Sequence, residues 1–374
     1  MPAGREMIPF IDLKRQYAVL KDDIHAAING VLDHGSYIMG PEVGELEERL
    51  AGFTGAGECI GVASGTEALL IALMALEIGP GDEVITPAFT FAATAEVVLL
   101  VGATPVLVDI EPDTCNLDVA LLEAAMTPRT RAIMPVSLYG QPADHDAIDV
   151  LAERHGATVI EDAAQSLGAE YKGRRSGSLS AIGCTSFFPS KPLGCYGDGG
   201  AIFTSDPTIA KACREIRVHG QSGRYHHSRL GVGGRMDTLQ CAILLAKLKR
   251  FEWELARRAE IGGRYNQLFD EHGIERVVQR PDRTSVFAQY TIKVDHRAQV
   301  QHMLQVAGIP TAIHYPSPLS TQPAYIGRCI HGPLPAADHA AQRVLSLPMH
   351  PDLEPAVQDQ IVEAVVRAVS SANA

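Results

Sequence analysis

Residues 158–165 read Thr-Val-Ile-Glu-Asp-Ala-Ala-Gln, a short apolar run that ends in two carboxylates and an amide. It is one of seven short apolar runs, most of them separated by helical segments. This alternation predicts βαβ units and therefore an α/β fold with one wide, mostly parallel, seven-stranded sheet. The seven runs are residues 59–63, 83–86, 105–110, 132–137, 158–161, 184–188 and 201–204.

Helical patterns lie between most of these runs and also flank them. The pattern is helical up to about residue 57, with a loop over residues 35–41. A long helical stretch over residues 237–272 leads into the C-terminal part of the chain. Further helices are expected at residues 67–76, 92–100, 118–125, 147–155, 208–219, 297–307 and 356–369, and a β-like run at 287–294.

These patterns predict two domains. Residues 1–250 would form an N-terminal segment and a large α/β domain, and residues 251–374 would form a smaller C-terminal α+β domain. Ligands of such sheets bind at the carboxyl ends of the strands. We therefore expect the chemistry in the loops that follow the apolar runs.

The composition narrows the possible functions. The 374 residues include 32 Lys and Arg against 44 Asp and Glu, which gives a formal net charge of −12. Nucleic acids are bound mainly through clustered basic residues, and the sequence has no basic stripe, so we expect no nucleic-acid partner. The apolar run at residues 68–76 is far shorter than the roughly 18 residues of a membrane span, so we expect no membrane contact.

The cysteines favour a reducing compartment. They are odd in number and lack the CxxC spacing of zinc or redox sites, so we expect no metal. Residues 1–10 also lack the apolar stretch of a signal peptide. These features predict reduced thiols and a cytoplasmic protein. The cysteines are Cys59, Cys115, Cys184, Cys195, Cys213, Cys241 and Cys329.

The segment Ser64-Gly65-Thr66 follows the first apolar run and opens a helical segment. The free backbone N–H groups and the positive end of a helix dipole could bind a phosphate there. Gly65 would let the backbone approach such a ligand closely. The alternative is an ordinary capped turn, so this motif depends on those that follow.

Two carboxylates and an amide, Glu161, Asp162 and Gln165, stand where the run at 158–161 ends. An unpaired charge is costly in apolar surroundings, so a carboxylate there needs a cationic partner. If the partner is a pyridine nitrogen, Asp162 would keep it protonated and make the ring an effective electron sink. The alternative is that Asp162 only caps a helix.

A single lysine, Lys191, closes the stretch Ser186-Phe187-Phe188-Pro189-Ser190-Lys191. A lysine at a strand end beside two phenylalanines is partly desolvated, which lowers its pKa and lets the free amine attack an aldehyde. Four glycines follow within nine residues and would allow a tight loop beside a bulky ring. The alternative, a solvated surface lysine, suits this apolar setting less well.

In this order, the three segments resemble motifs of the DegT/DnrJ/EryC1/StrS sugar aminotransferase family. The resemblance extends over about residues 8–350, and it implies fold type I of the pyridoxal 5'-phosphate (PLP) dependent transferases. It also implies that Lys191 is the Schiff-base lysine and proton shuttle. Asp162 would pair with the pyridine nitrogen, and Gln165 would lie near the 3-oxygen of the ring.

The resemblance assigns further cofactor ligands. Gly65, Thr66 and Ser186 would hold the phosphate of PLP. Phe91 matches the aromatic residue that stacks on the cofactor ring in the family, and a flat neighbour suits such stacking. For Phe91 and for Phe89, core packing is the alternative.

The stretch around Gly233 resembles a family loop that crosses a dimer interface, which implies a homodimer with shared active sites. Relatives usually carry Asn where this chain has Gly233, and that Asn reaches the PLP phosphate of the neighbouring subunit. One phosphate contact is therefore expected to be missing here. Arg235 is retained and would face the substrate or its anionic groups.

Within the family, the resemblance is strongest to enzymes that aminate UDP-2-acetamido-2-deoxy-3-oxo-glucuronate to the 3-amino sugar of lipopolysaccharide O-antigens. Residues 135–142, 191–200 and 312–316 carry it. His314 and Tyr315 match substrate-site residues of those enzymes, although a His-Tyr pair in a loop is more often structural. The implied reaction is a two-step transamination from L-glutamate to a UDP-linked keto-sugar.

Three other functions stay open. A 4-keto-sugar aminotransferase is an alternative because the sequence does not settle which carbon is aminated. A PLP-dependent sugar dehydratase would carry histidine in place of Lys191. A non-catalytic sensor of PLP or sugar nucleotides would need a DNA-binding module or a damaged site, and neither a helix-turn-helix extension nor a basic patch is evident.

Overall fold

The computed structural model describes residues 8–373, which form eleven α-helices and fourteen strands. The helices are α1 (Leu13–His34), α2 (Pro41–Thr54), α3 (Gly65–Ala75), α4 (Ala93–Leu100), α5 (Leu122–Ala125), α6 (His145–His155), α7 (Pro207–Arg217), α8 (Thr238–Glu271), α9 (Arg297–Val306), α10 (Pro335–Arg343) and α11 (Pro355–Ala372). The strands are β1 (Glu58–Val62), β2 (Glu83–Pro87), β3 (Thr104–Val108), β4 (Thr130–Ile133), β5 (Thr158–Asp162), β6 (Glu170–Tyr171), β7 (Arg174–Arg175), β8 (Ile182–Ser186), β9 (Gly200–Thr204), β10 (Gln221–Gly223), β11 (His226–His227), β12 (Tyr290–Lys293), β13 (Ile330–His331) and β14 (Val344–Leu347).

Eight strands form one sheet in the order β1-β9-β8-β5-β4-β2-β3-β13. Neighbouring strands are parallel, except that β9 runs antiparallel to both β1 and β8. The predicted α/β sheet is confirmed, but it has eight strands rather than seven. The eighth, β13, comes from the C-terminal part of the chain and is two residues long. A strand of that length is too short to show a period in the sequence.

The core of the large sheet lies against helix α3. This helix is apolar on several sides, and its Leu69 and Ile71 are buried in one cluster with residues of the central strands. The central strand β2 is buried along its whole length. A parallel sheet covered by helices is buried on both faces. A ligand can therefore reach this sheet only at the ends of its strands.

Helix α8 contributes to three hydrophobic clusters. Its first half packs with residues of α1 and of α2, and its last turns pack with residues of β12, β14 and α11. The expected domain boundary near residue 250 falls inside this helix, so a continuous helix rather than a loop crosses that position. The division into residues 1–250 and 251–374 stays a prediction.

Two expected elements differ in form. Around residues 118–125, the Asp118 carboxylate accepts a hydrogen bond from the N–H of Ala120 at 2.9 Å, and a 3-10 turn precedes the short helix α5. In the run at 287–294, Phe287 has a φ of 43°, which an extended strand cannot accommodate. Strand β12 therefore begins only at Tyr290.

Candidate active site

The candidate active site lies where the neighbouring strands β5 and β8 end. Asp162 is the last residue of β5 and pairs with Cys184 of the parallel strand β8. Ser186 ends β8, and the loop that follows carries Lys191. The Asp162 carboxylate and the Lys191 amine are close enough that each charge shifts the pKa of the other group. Two residues singled out in the sequence thus meet at the carboxyl edge of the sheet.

The loop that carries Lys191 folds back on itself. The N–H of Lys191 donates to the carbonyl oxygen of Phe188, and the N–H of Cys195 donates to that of Phe187, both at 2.8 Å. Burial lowers the pKa of Lys191, while the negative charge of Asp162 opposes this shift. The two phenylalanines lie in different environments, because Phe187 is fully buried in the core and Phe188 is 52% exposed.

Asp162 is buried and accepts two hydrogen bonds. The hydroxyl of Thr94 donates to Oδ2 and the N–H of Ala164 donates to Oδ1, both at 3.1 Å. Burial raises the pKa of Asp162, and the Ala164 N–H, the Lys191 charge and the Thr94 hydroxyl all lower it. The bond from Ala164 is of the kind that a local cap makes, so the capping and charge-pairing interpretations of Asp162 are compatible.

Residues from distant parts of the chain complete this side of the site. Gln165 accepts a hydrogen bond from the N–H of Tyr139 at 2.8 Å, and its amide nitrogen donates to the Tyr315 hydroxyl at 3.4 Å. The Tyr139 hydroxyl donates to the carbonyl oxygen of His314. Burial and the nearby Lys191 charge lower the pKa of His314. The structure therefore brings His314 and Tyr315 to Lys191, Asp162 and Gln165.

The start of helix α3 meets the end of β8 at Gly65. A Cβ atom on Gly65 would lie 2.7 Å from the Cβ of Ser186, so no larger residue fits without a shift. Ser64 caps the helix by accepting from the N–H of Glu67 at 3.1 Å. The first turn of α3, which includes Thr66 and carries the positive end of the helix dipole, thus lies next to Ser186.

The two candidate aromatic residues differ in exposure. Phe89 is 1% exposed and belongs to a core cluster, whereas Phe91 is 55% exposed. The Phe91 ring lies 6.1 Å from the Tyr315 ring, centroid to centroid. Phe91 is therefore the ring of the two that remains available to a ligand, and Phe89 is a core residue.

Arg235 lies next to the end of strand β1, just before helix α3 begins. It forms a β-bridge with Val62, and the adjoining N–H of Ala63 donates to the carbonyl oxygen of Gly234 at 2.9 Å. Within residues 8–373, Arg235 forms no salt bridge, and its side chain is partly exposed. A guanidinium without a carboxylate partner is free to bind an anionic ligand.

The sequence assigned no site role to Thr94 or Tyr139, although Tyr139 lies in the stretch 135–142 that carries part of the family resemblance. Thr94 lies in the first turn of α4, and Tyr139 has a φ of 59° beside Gly140 in a short 3-10 turn. Their roles depend on contacts with residues 68 and 26 positions away in the chain. Thr94 lies in no motif that would have indicated it, and the resemblance over residues 135–142 does not reveal the contact between Tyr139 and Gln165.

These residues fit PLP. Asp162 is a buried carboxylate that could pair with a pyridinium, and Lys191 is a partly buried amine whose charge acts on that carboxylate. The N-terminal turn of an eleven-residue helix abuts Ser186 where a phosphate would be held. The exposed ring of Phe91 provides a flat apolar surface. The individual roles of the site residues remain predictions.

Comparison with known families agrees with this arrangement. The model of the DegT/DnrJ/EryC1/StrS aminotransferase family matches residues 19–366. The chain belongs to this family. Aminotransferases of the DegT/DnrJ/EryC1/StrS family are PLP-dependent, so PLP is the cofactor of this chain and transamination is its reaction class.

Individual relatives of the DegT/DnrJ/EryC1/StrS family are similar over nearly their full length. UDP-2-acetamido-2-deoxy-3-oxo-D-glucuronate aminotransferase of Pseudomonas aeruginosa is 59% identical over 94% of this chain and 97% of its own. UDP-N-acetyl-3-dehydro-alpha-D-glucosamine 3-aminotransferase of Acidithiobacillus ferrooxidans is 45% identical over 92% and 94%. The structure of DesV from S. venezuelae with a ketimine intermediate has a TM-score of 0.95 at 42% identity, over 97% of this chain and 98% of that one.

Between residues 8 and 373, no three His, Cys, Asp or Glu side chains lie together as a metal site would need. None of the helices in the same range has the length and apolar character of a membrane span.

Proposed function

We propose that this chain transfers the amino group of L-glutamate to UDP-2-acetamido-2-deoxy-3-oxo-glucuronate and so makes the 3-amino sugar used for lipopolysaccharide O-antigen. The observation that carries the proposal is the grouping of the candidate site residues at the end of β5. The Gln165 amide donates to the Tyr315 hydroxyl at 3.4 Å, and the Lys191 charge acts on both Asp162 and His314. The 59% identity to the Pseudomonas aeruginosa enzyme supports the choice of sugar.

Lys191 is the proposed catalytic base and acid. Burial lowers its pKa, so a larger fraction of its amine is neutral at physiological pH and can take up a proton. We assign to its Nζ the removal of the proton from the α-carbon of glutamate and the delivery of a proton on the same side. In the second half of the reaction the same atom would move a proton at the sugar carbon in the reverse sense.

Asp162 is proposed to hold the positive charge of the pyridine nitrogen. PLP, when bound, supplies an electron sink that stabilises negative charge on the reacting carbon. The hydroxyl of Thr94 and the N–H of Ala164 donate to the Asp162 carboxylate and favour its charged form. The Gln165 amide, held by the N–H of Tyr139, would orient the opposite edge of the ring.

The substrate side is assigned to Arg235, His314 and Tyr315. His314 is oriented by a 3.0 Å hydrogen bond between its Nδ1 and the Ser346 hydroxyl, which leaves Nε2 for a ligand. Tyr315 contacts Gln165 and lies near Phe91, so it adjoins the ring site. The Arg235 guanidinium has no salt-bridge partner within residues 8–373. It could therefore pair with the carboxylate or the diphosphate of the substrate.

We further propose a homodimer in the cytoplasm. Three consecutive large apolar side chains, Tyr37, Ile38 and Met39, are exposed, and an apolar patch of this kind supports an interaction surface there. All seven cysteines are free thiols, which suits a reducing compartment.

Amination assays with paired substrates test the sugar. The enzyme would be incubated with L-glutamate and UDP-2-acetamido-2-deoxy-3-oxo-glucuronate, and the products would be weighed by mass spectrometry. The matched control is UDP-N-acetyl-3-dehydro-glucosamine, which keeps the 3-keto group but lacks the carboxylate. We expect kcat/KM to favour the glucuronate by about 100-fold, because a site built for a charged group rejects its neutral analogue.

Equal turnover of the two sugars would contradict the role of the carboxylate. Turnover of only a 4-keto sugar nucleotide would replace the proposal with the 4-amination alternative. Loss of water without amination would indicate a dehydratase.

A further inference from the structure

One face of helix α8 carries four charged side chains, Lys247, Arg250, Glu254 and Arg258. Their spacing of three, four and four residues places them in one row along the helix. Lys247, Glu254 and Arg258 are 2%, 3% and 4% exposed. A buried charged group is costly unless it has hydrogen-bond or ion-pair partners. The partners of these four side chains therefore show which parts of the chain the row connects.

Lys247 contacts the loop that carries Lys191. Its ammonium donates to the carbonyl oxygen of Gly194 at 2.6 Å and lies 4.3 Å from the centre of the Tyr196 ring. Gly194 is where this loop closes, because a Cβ atom there would lie 2.5 Å from the carbonyl oxygen of Pro189. Lys247 thus holds the loop only three residues after Lys191.

Glu254 joins the row to helix α1 through Gln16 and pairs with Arg250. It accepts a hydrogen bond from the side chain of Gln16 at 2.9 Å and lies 3.7 Å from the guanidinium of Arg250. Burial lowers the pKa of Lys247 to about 8, and the charge of Glu254 opposes this shift. The carboxylate therefore favours the charged, fully donating form of Lys247.

Arg258 reaches the opposite side of the site. Its Nη1 donates to the carbonyl oxygen of Phe287 at 3.1 Å, and the neighbouring N–H of Val286 donates to that of Gly140 at 3.0 Å. Gly140 adjoins Tyr139, whose N–H holds Gln165. One helix face therefore contacts the supports of both Lys191 and Gln165.

We propose that Lys247 is a positioning residue that fixes the Lys191 loop through Gly194. The proposal rests on the proposed function because it takes Lys191 as the reacting amine. Lys247 has no contact with the substrate side, so its effect should appear in the rate of the chemical step and in the order of the loop, with little change in substrate binding.

The test compares Lys247→Met with Lys249→Met in the PLP-loaded enzyme. Lys249 lies two residues away on α8 and is exposed, with a surface ion pair to Asp23, so it controls for the loss of a lysine from this helix. Hydrogen exchange of the peptide that covers residues 187–196 reports the N–H bonds of Lys191 and Cys195. Single-turnover reaction with glutamate alone reports the proton transfer.

For Lys247→Met we expect exchange in this peptide to rise about tenfold, since a buried hydrogen bond from a charged donor is lost. The single-turnover rate should fall about tenfold while the half-saturating glutamate concentration changes less than about threefold. Lys249→Met should match the parent in both measurements.

Exchange at residues 187–196 equal to that of the parent would overturn the proposal. So would equal increases in exchange over the whole protein, because they would mean a general loss of stability. If the Met variant does not fold, Lys247→Gln replaces it under the same criteria. Neither measurement uses a sugar, so failure of the sugar assay leaves this test intact.

Discussion

Two carboxyl side chains, Glu161 and Asp162, follow each other at the end of β5 but have different neighbours. Asp162 faces the candidate active site, where the Lys191 charge lies nearby. Glu161 faces the turn that follows β7 and accepts from the Ser176 hydroxyl at 2.5 Å and the Gly177 N–H at 2.9 Å. Successive residues of a strand point to opposite faces, so a single step along the chain separates the candidate active site from a buried structural turn.

The neighbouring side chains set the pKa of each of these two carboxyls. Burial raises the pKa of both carboxyls, but Asp162 has a lysine to oppose the shift. No basic side chain in residues 8–373 opposes it at Glu161, and the pKa of that carboxyl rises to about 7. Of the two buried carboxyls, Asp162 has a nearby cation that favours its charged form. The groups that favour the charged form of Glu161 are the Ser176 hydroxyl and the N–H groups of Gly177 and Leu179.

Of the changes considered, replacement of Lys191 should have the largest effect on the reaction rate. Lys191→Ala should lower the single-turnover rate with glutamate by at least about 10³-fold, because both the nucleophile and the proton carrier are lost. In the parent, borohydride reduction should attach PLP to Lys191, as peptide mapping would show. Attachment at another lysine would contradict the assignment.

Exchange of each carboxylate for its amide would test the comparison directly. Asp162→Asn should slow the glutamate half-reaction by about 100-fold or more, since the charge that holds the pyridinium is lost. Glu161→Gln serves as the control and should change the rate less than about threefold. Similar rates for the two variants would show that Asp162 only caps the turn at Ala164.

The protonation of Glu161 can be tested through the pH dependence of the protein's stability. The pKa of Glu161 is higher in the folded than in the unfolded protein, so its contribution to stability is full below pH 4.5 and is lost as the pH rises through about 7. This loss amounts to about 3 kcal/mol. Relative to the parent, Glu161→Gln should therefore gain a few degrees in melting temperature between pH 5 and pH 8. Parallel pH profiles would indicate that Glu161 is charged in the folded state.

The smallest expected effect concerns Gly233. Its backbone is not in the positive-φ range, and a Cβ atom would lie 3.2 Å from the His219 ring, so Asn fits after a small shift of that ring. A restored hydrogen bond to the phosphate contributes about 1.5–3 kcal/mol, so Gly233→Asn should tighten PLP by roughly tenfold or more. Equilibrium dialysis measures this. Equal or weaker binding would mean that the phosphate is already saturated.

The sequence by itself determined the α/β class and the positions of seven strands. It also indicated Lys191 and Asp162 as site residues, because a lysine and a carboxylate at the ends of apolar runs suggest chemistry there; their roles stay predictions. The short strand β13 and the start of β12 at Tyr290 could not be predicted, since a two-residue pairing and a positive φ at Phe287 leave no periodic pattern.

The tertiary structure alone decided which residues surround that pair. Thr94 binds Asp162 across 68 residues of chain, and Tyr315 contacts Gln165 across 150. Likewise, Lys247 looks like any helical lysine in the sequence, and only packing places its ammonium against Gly194. Periodicity reports which face of an element is buried, whereas partners and pKa values depend on distances that only the folded chain sets.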